Sequence, residues 1–143
     1  MVGGFGALVV NNDSPTIPDG YPAKAARLLV SYSGADPAFA PHGMQKFAWD
    51  PVARVFESAW INQQASSANA VPLVSLGSNT LYTVGGRDGK WALEGIDWTT
   101  GESVLTWITG SSRYNTVFAG LFIDDEGHIV HGTTFGMVRY PAR

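Results

Sequence analysis

The chain has 143 residues, an apolar fraction of 45%, 17 Gly, 8 Pro, no Cys and a formal net charge of -3. This is one domain's worth of core-forming material, and the 15% of charged residues, where about 25% is usual, argues with the Gly and Pro against a coiled coil, a long helical bundle or disorder. The charge balance gives no footprint for nucleic acid, no apolar run approaches a membrane span, the first four residues lack a signal peptide's basic start, and without Cys there is no disulfide or thiolate chemistry.

Residues 5–12 read as a first strand, followed by a Pro- and Gly-rich insertion over 13–41 in which 23–29 makes a short helical turn at most. Strands follow at 43–49 and 55–62, joined through Asp50-Pro51. Residues 69–76 are β-branched and partly alternating, and Gly77-Ser78-Asn79 turns them into a strand at 81–84. Asp88-Gly89 then stands between two such runs, the strongest short hairpin signal, and leads into 91–98. Thr99-Thr100-Gly101 turns the chain into 104–108. Strands at 117–123, 129–130 and 137–140, with a turn at Asp124-Asp125-Glu126-Gly127, bring the predicted total to ten.

These strands repeat. Asp50, Trp60 and Ile61 overlay Asp97, Trp107 and Ile108 at a shift of 47, Asn69 overlays Asn115 at 46, and Leu81-Tyr82 overlays Ile129-Val130 at 48. A period of 46–48 residues holding four short strands is that of a propeller blade. The predicted fold is therefore all-β, a partial β-propeller of about three four-stranded antiparallel blades. Residues 1–62 form an incomplete blade with the 13–41 insertion between its second and third strands. Residues 63–110 form a complete blade, and 111–143 a blade lacking its outer strand. A ring needs at least about four blades, so another chain or a second copy is expected to complete it, two copies giving about six blades.

Over residues 81–102 the sequence resembles a blade of the quinoprotein-like β-propellers, whose repeats end in an Asp-x-x-Thr-Gly turn followed by a Trp. Asp97, Thr100, Gly101 and Trp107 keep that order, with the Trp about two residues late. The resemblance implies a fold; no quinone-ligating residue matches, so no cofactor is carried over.

Blade topology sorts the connections onto two ends. One, which holds the ligand site in most propellers, should carry the 13–41 insertion, His42, Asn69, Arg87, Arg113, Tyr114 and Asn115. The amides, guanidinium groups and His42 imidazole form a candidate site for a small polar, anionic or sugar-like ligand, with His42 as a general base in an enzymatic variant. The alternative for Asn69 and Asn115 is bonding backbone groups between blades. Asp50, Thr99-Thr100-Gly101 and Asp124-Asp125-Glu126-Gly127 fall on the opposite end as turn formers. His128 and His131, three apart, point to opposite faces of a strand and cannot share one metal ion. Trp49, Trp60, Trp91, Trp98 and Trp107 are read as wedges between blades. No nucleophile or phosphate-loop motif is present. Two functions fit: a non-catalytic ligand- or partner-binding segment, or part of an oxidoreductase or hydrolase with its site at a central channel.

Overall fold

A computed structural model describes residues 2–4, 7–11, 43–67, 70–88, 90–116 and 118–141 of the chain. The insertion at 13–41, His42, Asn69 and Gly89 lie outside these residues. Eleven strands are present among them: β1 (Val2–Gly4), β2 (Ala7–Asn11), β3 (Met44–Asp50), β4 (Val55–Asn62), β5 (Leu73–Ser75), β6 (Thr80–Arg87), β7 (Lys90–Asp97), β8 (Ser103–Ile108), β9 (Leu121–Ile123), β10 (Ile129–Thr133) and β11 (Gly136–Tyr140). They form three small sheets in the orders β1-β2-β3-β4, β5-β6-β7-β8 and β9-β10-β11, every named strand pair antiparallel. The fold is all-β, with one short 3-10 turn at Ser112–Tyr114 and no α-helix among the described residues. The sheets do not close into a ring.

The prediction of ten strands falls one short. β1 is Val-Gly-Gly, which offers no alternation to read, yet Val2 pairs with Val9 and Gly4 with Ala7, giving the first sheet a fourth strand. The Asp88 hairpin has the expected two-residue connection, since Arg87 pairs with Lys90 and Asp88 takes φ 50. In the third sheet Thr133 pairs with Gly136. Superposing the two hairpins shifts the repeat by 46, so Thr83, not Leu81, overlays Ile129. The slip is two residues; because side chains alternate with period two, it leaves every one on its proper face.

Local chemistry explains the turns. Asp50 Oδ1 accepts from the N–H groups of Val52 (2.7 Å) and Ala53 (3.0 Å), and the Arg54 N–H returns to the Asp50 carbonyl at 2.8 Å. Forty-seven positions later Asp97 Oδ1 accepts from Thr99 (2.8 Å) and Thr100 (2.7 Å), and Gly101 N–H returns to the Asp97 carbonyl at 2.9 Å. Those backbone bonds, with a side-chain bond from Asn79, hold the Asp97 carboxyl below the usual carboxylate range against the opposing effect of desolvation. Both turns end in a left-handed residue, Arg54 at φ 57 and Gly101 at φ 80.

The sheets stack in sequence order through two apolar junctions. Val9, Met44 and Trp60 of sheet 1 pack on Leu81 and Ile96 of sheet 2. The opposite face of sheet 2, with Val84, Trp91 and Leu93, packs on Leu121, Ile129 and Tyr140 of sheet 3. Each sheet thus has a trailing face toward the sheet before it and a leading face toward the sheet after. Polar hooks fix the first junction. Trp60 Nε1 (3.0 Å) and Lys46 Nζ (2.7 Å) both donate to the Trp98 carbonyl, with Lys46 lying 3.8 Å from the centre of the Trp98 ring. Asn62 Nδ2 donates to the Gly101 carbonyl at 2.8 Å while its Oδ1 caps the N–H groups of Gln64 and Ala65. Burial lowers the Lys46 pKa, opposed by the Asp97 charge. Of the five tryptophans read as wedges, Trp49 is the exception: it lies on the outward face of sheet 1, 39% exposed, with its ring 5.1 Å from that of Phe56.

Candidate functional site

Arg113 and Tyr114 lie in the 3-10 turn that precedes sheet 3, capped by the Ser111 hydroxyl, which accepts from the Arg113 N–H at 3.3 Å. This turn and the β10–β11 hairpin enclose a groove of about 400 Å³ lined by Arg113, Tyr114, Thr133, Phe135, Met137 and Arg139. Its walls are polar at Thr133, cationic at Arg113 and Arg139, and apolar at Phe135 and Met137, which are 76% and 72% exposed. The Arg113 guanidinium is exposed and makes no hydrogen bond or ion pair among the described residues. Arg139 is already held by Asp124 Oδ2 (2.8 Å) and Glu126 Oε2 (2.6 Å). The groove therefore offers one free bidentate donor beside an apolar wall, chemistry suited to a small carboxylate or phosphate with an apolar body.

The structure separates the other predicted site residues. Asn115 ends the 3-10 turn, its N–H donating to the Ser112 carbonyl at 3.0 Å, and does not line the groove. Arg87 is committed elsewhere. Its Nε and Nη2 reach the two oxygens of Glu94 at 2.7 and 2.8 Å, Nη1 reaches Gln64 Oε1 at 3.1 Å, and Nη2 reaches Ser103 Oγ at 2.7 Å. Glu94 is fully buried and also accepts from Thr106 Oγ1 at 3.0 Å. The hydrogen bonds that Arg87 donates to Glu94 raise its pKa further. This pair latches β6, β7 and β8 to the segment leaving sheet 1; it is a strut, with four of the five Arg87 N–H donors taken by those bonds.

A second constellation escaped the sequence reading. His131 is fully buried on the trailing face of sheet 3; its Nδ1 lies 3.0 Å from the Gly132 carbonyl and its Nε2 3.2 Å from the Tyr140 hydroxyl. A carbonyl can only accept, so Nδ1 carries the proton and Tyr140 donates to Nε2. Desolvation lowers the His131 pKa and raises that of Tyr140, which Tyr114 raises further. His128 belongs to a different group, 3.1 Å from Asp124 Oδ1 at the β9–β10 turn. Desolvation pushes the Asp124 carboxyl up, but the His128 N–H, the Arg139 guanidinium and the His128 ring outweigh it and hold the pKa at about 2. Among the described residues no group of three or more His, Asp or Glu is placed to hold a metal ion.

A cavity of about 300 Å³ opens between sheets 2 and 3, bordered by Tyr82, Leu105, Trp107, Ile129, Tyr140 and Pro141. Trp107 pairs with Leu93 as Trp60 pairs with Lys46, so this is the counterpart of the space that Trp98 and Gly101 fill in the first junction. We assign it to junction packing rather than to a ligand.

No family model matches the chain, and no solved structure matches it. A protein of Archaeoglobus fulgidus, described as uncharacterized, is 37% identical over 104 residues, 72% of this chain. The match spans 20% of the archaeal protein's length.

Proposed function

We propose that the three sheets are consecutive blades of a quinoprotein-like β-propeller and that this segment is a non-catalytic binding unit. Its groove at Arg113 takes a small carboxylate- or phosphate-bearing ligand, and the ring is completed by further sheets from another chain or copy. The observation that carries the reading is the stacking itself: two Asp-capped turns of the same bonding pattern lie 47 positions apart, and the second sets Gly101 against Trp60 of the preceding sheet. The binding reading is preferred to an enzyme acting at a central channel because Glu94 and His131, which such chemistry would draw on, are buried in bonds within and between sheets.

Amide spectra recorded during titration with succinate, inorganic phosphate and glucose test the binding reading. Saturable shifts over Ser112–Tyr114 and the β10–β11 hairpin, abolished by Arg113→Ala, are expected with succinate or phosphate. An absence of saturable shifts with all three overturns it. An intrinsic near-ultraviolet absorption beyond that of Trp and Tyr would favour the enzymatic alternative.

A further inference from the structure

The two ends of the three-sheet stack differ. The trailing face of sheet 1 presents Phe47, Trp49, Phe56 and Ile61, the last three 39%, 51% and 41% exposed. The leading face of sheet 3 presents Phe122, Val130, Met137 and Arg139, with Phe122 and Met137 47% and 72% exposed. Both internal junctions join a leading face to a trailing face, and among the described residues one face of each kind is left without a partner sheet.

The free faces also agree in what they lack. At the first junction an indole, Trp60, lies against Gly101, where even a Cβ would come within 2.7 Å of the ring. The matching turn of sheet 1 ends in Arg54, at φ 57, which carries a side chain where Gly101 carries none. A sheet packed there can bring no indole to that place. In sheets 1 and 2 the indole stands on the strand beyond β3 and β7; sheet 3 has no such strand beyond β11 among the described residues. Arg139, moreover, holds the register position of Lys46, the cation that reaches the backbone carbonyl of the neighbouring sheet's turn.

We propose that the leading face of sheet 3 docks on the trailing face of sheet 1 of a second copy, so that two copies close head to tail into a ring of six sheets. This rests on the blade reading in taking the stacking direction to continue; the assay below measures association and is independent of the succinate titration. Sedimentation velocity on the full chain should give about twice 15.3 kDa. Met137→Glu on one face and Phe56→Glu on the other each place a carboxylate in the contact, and each should weaken association at least about tenfold. Both sites are half-exposed or more, so both variants should fold. Mixed, the two variants restore one intact junction and a heterodimer should form. A folded wild-type monomer overturns the inference. So does a mixture that stays monomeric, or a dimer lost in one variant and kept in the other, which is the signature of like-on-like pairing. Phe56 lies away from the groove, so Phe56→Glu should lose the dimer and keep the succinate shifts.

Discussion

Replacing Gly101 with Ala is the sharpest perturbation of the stacking. A Cβ built there stands 2.7 Å from two ring atoms of Trp60 and 2.8 Å from its Cβ, and the backbone is at φ +80. Two costs follow. An L-residue in the left-handed region loses about 1–2 kcal/mol. Forcing the buried indole aside in a packed junction adds about 1–3 kcal/mol, because Trp60 is tied through Nε1 to the Trp98 carbonyl and cannot retreat without breaking that bond. The sum, about 2–5 kcal/mol, is a large part of a typical domain stability of about 5–15 kcal/mol. In urea unfolding followed by Trp fluorescence, a slope of about 1–3 kcal/mol per molar moves the midpoint down by about 1 M or more. Gly110→Ala is the control: φ is +68 but nothing lies within 4 Å, so only the backbone cost of about 1–2 kcal/mol should appear. In a Trp60→Ala background the Gly101→Ala cost should shrink toward that of the control without reaching it, since the Cβ at 2.8 Å remains, the difference being the coupling between the two sheets. Equal losses at Gly101 and Gly110 would refute close docking of the indole on the turn.

Three further outcomes are expected. Glu94→Ala leaves Arg87 without its carboxylate partner and should cost about 3–5 kcal/mol in the same urea assay, whereas Thr106→Val removes one bond to the carboxylate and should cost about 1.5–3 kcal/mol. The pH dependence of stability should show two acid limbs: His131 has its pKa lowered by folding, so its contribution is complete above pH 6.5 and fades as pH falls below that value, while Asp124 contributes above pH 3.8 and loses it as pH falls through about 2. His131→Gln, which keeps an acceptor for Tyr140 but does not titrate, should remove the first limb in pH-dependent thermal unfolding, and Asp124→Asn should shrink the second, which Asp97 shares. Arg113→Ala should leave the unfolding free energy within about 0.5 kcal/mol of the parent while abolishing the succinate response, since its guanidinium supports no other group among the described residues.

The parts of the fold that could be read from sequence are those whose chemistry is local. An Asp followed by two donors and a left-handed residue is a complete turn in itself, and Asp88 sets its hairpin without help from the rest of the chain. β1 could not be read, because three residues with two glycines acquire strand geometry only by pairing with β2. The role of Arg87 was within reach. Once the Asp88 turn fixes the register, Arg87 and Glu94 fall on one face of adjacent strands, and a carboxylate in the middle of a buried strand demands a cation. The His131–Tyr140 bond had no such cue, since the connection between β10 and β11 lacks a Gly, Asn or Asp to fix the register that puts the two side chains on one face.

Repetition in sequence therefore does not make the sheets interchangeable. Arg54 and Gly101 close the same hydrogen-bonded turn, both in the left-handed region, but only the glycine has no Cβ to meet an indole from the sheet before it. That single difference gives the stack a direction. The first junction seats Trp60 directly on Gly101, and the proposed docking puts a face without the indole against Arg54. In the proposed docking such a stack joins head to tail, which would give a ring if the rotation per sheet closes and a filament if it does not. Replacing Arg54 with Gly removes the difference, and should let the Asp50 turn accept an indole-bearing face that the parent turns away.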